Sequence, residues 1–414
     1  MRNRRAIIAF DAVRPFPRFL ISIALISPLC SGYSVLTHEA VVDAAWKQSI
    51  RPLLLQKYPA TTPDQLLEAH AYAYGGCILQ DMGYYPFGSK LFSDLVHYVR
   101  TADFVTNLLK EEQNVDEYAF ALGALAHYTS DNSGHPIGVN RAEPIEYPKL
   151  RAKFGDRITY EQDPPDHLKT EFGFDVVQVA QGHYAPQAYH DLIGFQVAKP
   201  VLERAFLDTY SVPFSAVVSR EDLAFGTFRF TVSHLLPEAS KAAWAAKKNE
   251  IVAAQPGITK SRFIYQLRRS SYEKNWGRDY QRPGWFARFL AFLFHLVPKI
   301  GPFRTLAFHP PSPEAEKLMM ASFNTTLDRY RRHCTEIAEG TLTLTNTNLD
   351  TGAPDVPGKY RLALQAWSHL LEKLAEKNVA PSPELRQEIL DYFTANVTPE
   401  SDKARQELAT LSRQ

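Results

Sequence analysis

Between Tyr33 and Glu171 the chain places five histidines and three carboxylates in one series: His38, Asp81, His97, His127, Asp131, His135, His167 and Glu171. His127 and Asp131 are four residues apart, so on a helix they share one face and can hold one ion. His167 and Glu171 repeat that geometry. A lone His-acid pair at this spacing is usually a surface pair, but "HYTSDNSGHP" crowds His127, Asp131 and His135 into one short stretch. Imidazole with carboxylate and no thiolate is a donor set that suits Zn²⁺. A catalytic zinc keeps a coordination place open and makes its water acidic, and two or three such ions can clamp the attacking and leaving oxygens of a phosphodiester.

The elements that must hold these residues read as helices. "HEAVVDAAWKQSIRPLLLQKY" after Thr37 has helical spacing, and "TPDQLLEAHAYAYGGC" follows with Thr62 or Asp64 as its start. "DLVHYVRTADFVTNLLKEE" comes next. "NVDEYAFALGALAHYTSD" begins with Asn114 as N-cap and Glu117 three residues on, a capping-box arrangement. Residues 136–166 are rich in Pro, Gly and charge and read as a long loop. Helices resume through 167–250. "AAQPGITK" (253–260) marks a boundary, 341–359 reads as a polar linker, and two or three amphipathic helices close the chain. There is no internal repeat, and strand-type alternation is scarce. The fold class expected is all-α.

Composition agrees with a large globular protein. The chain has 414 residues, 45% hydrophobic and 22% charged, enough for one large domain or two medium ones. Lys and Arg number 46 against 45 Asp and Glu, so no bulk charge points to duplex nucleic acid. The first 32 residues read as an export signal. Arg2, Arg4, Arg5, Arg14 and Arg18 precede the apolar run Phe19–Cys30, and small residues follow for cleavage after Gly32. A retained membrane anchor is the alternative. Cleavage takes the net charge from +1 to −3, because five arginines and one aspartate leave. Cys77 and Cys334 then remain, a pair available for one disulfide in a secreted or periplasmic protein.

The ordered series resembles the zinc-dependent phospholipase C superfamily, which includes bacterial phospholipases C, glycosylphosphatidylinositol-specific phospholipase D and the fungal single-strand nucleases. The resemblance implies a multi-helix phospholipase C/nuclease-like core over 33–252, with additional C-terminal helices over 253–414. It implies three zinc ions. Asp81, His97, His127 and Asp131 would hold the first, and His135, His167 and Glu171 the second. The third would take His38, Asp131 as a bridge, and the free amine and carbonyl of a mature terminus at Tyr33. Asp81 would also orient or deprotonate the attacking water. Tyr33 stands where the family usually has Trp. The four-residue step from Asp131 to His135 and the segment "HLKTEFGFD" resemble the phospholipase D branch, whereas Glu171 matches the phospholipases C. Met82 and Asp94 occupy places where the bacterial enzymes hold choline with aromatics.

These readings point to a secreted zinc phosphodiesterase acting on phospholipid headgroups. The alternatives are a single-strand nuclease on the same scaffold, which would want stacking aromatics and a basic groove, and a non-catalytic, zinc-stabilised helical binding protein. The apolar stretch Trp285–Phe303 is too short and too broken by Pro298 and Pro302 to span a bilayer. It reads as a buried core helix or as a peripheral membrane contact. Arg329, Arg331 and Arg332 read as a solvated helix face, and His183, His190 and Asp175 as candidates to support the ligands.

Overall fold

The computed structural model describes residues 35–85, 87–181, 195–232 and 311–395, with a few isolated positions between 244 and 260. The export signal at 1–32, Tyr33, most of the 253–260 boundary, the apolar stretch 285–303, His183 and His190 lie outside the described residues. In chain order the helices are α1 (Val35–Ala45), α2 (Arg51–Lys57), α3 (Pro63–Ile78), α4 (Lys90–Tyr98), α5 (Thr101–Glu111) and α6 (Val115–Ser133). Then come α7 (Asn140–Glu146), α8 (Pro148–Phe154), α9 (Pro164–Gln181), α10 (Lys199–Tyr210), α11 (Phe214–Val217) and α12 (Glu221–Phe230). The last are α13 (Pro313–Glu339), α14 (Arg361–Lys377) and α15 (Pro383–Thr394). The protein is all-α. Among the described residues there is no strand, and one isolated bridge pairs Asn348 with Ala353. None of the described helices is long and apolar enough to cross a membrane.

The centre is α6, buried almost continuously from Glu117 to Asp131. A helix covered all round needs small or apolar residues on every face, and "YAFALGALA" supplies them. Its main partner is α3. Gly76 lies against the Phe120 carbonyl and Gly123 against the Ala73 carbonyl, so closely that a Cβ at either place would overlap backbone. Glycine there lets the two backbones touch. In the same core Phe92, Phe206, Phe214 and Tyr210 are buried in mutual contact. Each buried ring of this size contributes about 1.5–3 kcal/mol relative to exposure. The long helix α13 crosses α6 on another side, with Tyr330 donating to the Leu122 carbonyl at 2.9 Å.

Helix starts follow the capping signals. Thr62 caps α3 and forms the reciprocal capping box with Gln65. Asn114 caps α6 through the amides of Asp116 and Glu117. The return bond of Glu117 goes one residue further back, to the Gln113 amide at 2.9 Å, and the same oxygen accepts from Arg204.

Four expectations need correction. Residues 136–166 are largely helical rather than a long loop: a π-helical turn (Gly134–Val139), α7 and α8 occupy most of the segment. Pro148 opens α8, where its missing N–H costs nothing. Pro144 sits inside α7, and the Asn140 carbonyl that it cannot serve accepts from the Ile158 amide at 2.8 Å instead. Cys77 and Cys334 are both buried free thiols, not a disulfide. Arg329 is not a purely solvated residue: it donates to the Ser133 hydroxyl at 3.0 Å, at the end of α6.

The polar segment 341–359 is also more than a linker. Asn346 Oδ1 accepts from the amides of Ala102 and Asp103 at 2.9 and 3.2 Å, capping α5 from 243 residues away or more. Thr101 Oγ1 donates to the Thr347 carbonyl at 2.9 Å, and Tyr128 Oη to that of Thr345 at 2.7 Å. Gly352 turns the chain with a φ of +67°, pressed against Pro136 and the Asn132 carbonyl. The segment is a strap laid across α5, the end of α6 and the π-helical turn.

Candidate metal centre

The helices bring His38, Asp81, His97, His127, Asp131, His135, His167 and Glu171 into one buried cluster. His38 comes from the first turn of α1 and Asp81 from the 3-10 turn Leu79–Tyr84 after α3. His97 ends α4, and His127 and Asp131 share the last turns of α6. His135 sits on the π-helical turn, and His167 and Glu171 on the first turns of α9. Tyr33 lies outside the described residues, so the structure places no terminal amine.

The imidazoles in one half are aimed by backbone. His97 Nδ1 donates to the Ser93 carbonyl at 2.7 Å, within α4. His127 Nδ1 donates to the Cys77 carbonyl at 3.0 Å, across the close α3–α6 contact. The Nε2 atoms are then the ones left to meet a metal or a proton, and they face each other at 3.2 Å. Asp81 Oδ1 is 3.4 Å from His97 Nε2, and Asp131 Oδ2 is 3.4 Å from it and 3.2 Å from His127 Nε2. The other Asp131 oxygen, Oδ1, faces His38 Nε2 at 3.5 Å and His135 Nε2 at 3.6 Å. Asp131 therefore joins the two halves through its two oxygens.

The other half is aimed by side chains. His167 Nδ1 donates to Glu143 Oε2 at 3.0 Å, which turns His167 Nε2 toward His135 Nδ1 at 3.2 Å and Glu171 Oε1 at 3.1 Å. Glu143 is fully buried. Burial pushes its carboxyl up to about 7 against the pull of His167.

A cation fits this arrangement. Both oxygens of Asp81, Asp131 and Glu171 are buried without accepting a hydrogen bond, and those of Asp81 and Asp131 and Glu171 Oε1 face imidazole nitrogens. Such buried charge is costly unless paired with a proton or a metal. Without a cation, burial alone would pull His97 down, yet Asp131 and Asp81 outweigh it and hold the imidazolium up to about 10. The same carboxylates would favour a divalent ion in place of those protons. Tetrahedral zinc with bonds of about 2.0–2.2 Å sets its ligands roughly 3.3–3.5 Å apart. The separations of 3.1–3.6 Å across both halves scatter about that value. Three groups converge closely enough to hold an ion: Asp81, His97 and His127; His38, His127 and Asp131; and His135, His167 and Asp350.

Residues 37–219 match the family model described as zinc dependent phospholipase C. That segment is similar to the zinc dependent phospholipase C family. No curated protein and no solved structure matches the chain. The matched segment contains His38 through Glu171, and the family's dependence on zinc agrees with the donor set found in the cluster.

Two residues of the site escaped sequence reasoning. Asp350 enters from the strap and is buried. Its signal was the "NLDTG" turn, which marks a loop but not a buried one. Glu143 lay in the segment read as loop, and nothing in "NRAEPIE" announces a partner for His167. Asp175, expected to support a ligand, is bonded instead to the residues just before His38. It accepts from the Leu36 amide at 3.0 Å and the Thr37 hydroxyl at 2.5 Å, tying α9 to the first turn of α1 beside His38. His70 lies apart, stacked on Trp46 and bonded to Asp43.

Proposed function

We propose that the protein is an exported zinc-dependent phosphodiesterase that hydrolyses the headgroup phosphodiester of phospholipids, in the manner of a phospholipase C. The observation that carries this reading is the pair of Asp131 oxygens, each facing a different set of imidazoles, in a segment similar to a zinc-dependent phospholipase family. Three zinc ions are proposed. Asp81, His97, His127 and Asp131 would hold one, His135, His167 and Glu171 another, and His38, Asp131 and the Tyr33 terminus the third. Bound zinc would acidify a water and neutralise the charge that grows on the phosphoryl oxygens. Asp81 would orient that water and take its proton, since its Oδ2 lies on the His38 side of the cluster at 4.0 Å while Oδ1 serves His97. The new bond forms between the water oxygen and phosphorus. The bond from phosphorus to the glycerol oxygen would break, that oxygen would take a proton from water and leave as diacylglycerol, and the phosphorylated headgroup would be the second product. The stretch 285–303, outside the described residues, is the proposed membrane contact.

Digestion of mixed phospholipid vesicles by protein beginning at Tyr33, with and without a zinc chelator, tests this reading. Diacylglycerol that disappears with chelator is the expected product by mass spectrometry. Phosphatidic acid would move the cut to the other side of phosphorus and make the enzyme a phospholipase D. Zinc-loaded protein that yields no lipid product overturns the lipid substrate, and single-stranded nucleic acid is then the next substrate to assay.

A further inference from the structure

The strap brings a carboxylate into the second half of the cluster from far outside the matched family segment, which ends at 219. Asp350 Oδ2 is fully occupied: it accepts from Tyr360 Oη at 2.6 Å and from the Tyr160 amide at 2.9 Å. Its backbone carbonyl accepts from Asn140 Nδ2 at 2.8 Å. The neighbouring Leu349 amide donates to the carbonyl of His97 itself at 3.0 Å. These bonds fix the carboxylate plane and leave Oδ1 buried, without a hydrogen bond, 3.7 Å from His135 Nδ1. A purely structural carboxylate in this place would have both oxygens satisfied. One oxygen anchored and the other bare, beside two imidazoles, is how a metal-binding carboxylate is held.

We infer that Asp350 is the fourth protein ligand of the cation held by His135, His167 and Glu171, and that this cation fastens the C-terminal strap to the catalytic half of the protein. The inference rests on the proposed occupation of the cluster by zinc. Four ligands from α9, the π-helical turn and the strap make a closed site, the coordination typical of structural zinc. Its loading would therefore order residues 348–352 as well as the centre itself, because the metal bridges segments about 180 residues apart or more.

The test uses the full mature chain. Zinc is counted by plasma mass spectrometry after dialysis against a weak chelator, in wild type and in Asp350→Asn. The expected result is one zinc fewer per chain in the variant, or a fall in affinity at one site of about 100-fold or more, since losing even an outer partner of a ligand costs about 10–100-fold. Asp350→Cys loaded with cobalt should show thiolate-to-cobalt charge-transfer absorption, a signature that a neighbouring but non-ligating residue cannot produce. In wild type, zinc should slow amide hydrogen exchange at Leu349 and Gly352. Unchanged zinc content and affinity in Asp350→Asn, or cobalt bound to Asp350→Cys without the charge-transfer band, overturns this inference and leaves the phosphodiesterase reading intact. Wild-type protein that retains no zinc overturns both. If Asp350→Asn does not fold, wild-type exchange decides: amides of the strap indifferent to zinc refute the fastening.

Discussion

The two halves of the metal centre are held by different means. Around His97 and His127 the aiming groups are main-chain carbonyls inside or between tightly packed helices. Around His167 the aiming group is a side chain, Glu143, delivered by a short proline-containing helix, and a strap brings Asp350 beside His135. Backbone aiming comes with the turn of α4 for His97 and with the α3–α6 packing for His127, so it is as rigid as the core. Side-chain aiming depends on individual residues that can be removed without disturbing the fold. The first half should thus resist single substitutions outside its ligands, and the second should be sensitive to them.

Substitutions can break that contrast or sharpen it. Asp131→Asn should have the largest effect, because its oxygens serve both halves. Zinc affinity measured by calorimetry should fall at more than one site, by more than the ~100-fold cost of losing an outer partner, and hydrolysis should fall with it. Retention of zinc in both halves would remove Asp131 as the bridge. Glu143→Ala comes next. It should weaken the His135–His167 site by about 10–100-fold and leave the His97–His127 site unchanged; equal losses at both would mean that the halves are not independent. Gly352→Ala forces a side chain into a left-handed turn against Pro136, and it should cost about 1–2 kcal/mol in urea unfolding. Loss of zinc from the second half should accompany it. Thr62→Ala is the smallest, at about 1 kcal/mol for the lost cap, with zinc content unchanged in either half.

The contrast also explains what the sequence made legible. His127 with Asp131, and His167 with Glu171, were readable because helical spacing fixes which side chains share a face. The all-α fold, the start of α3 to within Thr62 or Asp64 and the N-cap at Asn114 were readable from local chemistry, and the structure chooses Thr62. Asp350 and Glu143 were not. Their roles are set by contacts 24 to 215 residues away, and turn-forming composition around them says only that the chain leaves a regular element. The α-helical character of 140–154 was hidden by prolines that the fold accommodates at one helix start and by one redirected carbonyl. The free state of Cys77 and Cys334 follows from where each helix buries its thiol, which counting cysteines does not reveal.

The most direct test of a zinc centre in two halves is anomalous diffraction at the zinc edge from crystals of the zinc-loaded mature protein. The account predicts one anomalous peak among Asp81, His97, His127 and Asp131, a second among His135, His167, Glu171 and Asp350, and a third beside His38, Asp131 and the Tyr33 terminus. Full-length protein whose cluster shows no anomalous peak, with the imidazoles bonded to the carboxylates instead, would contradict it.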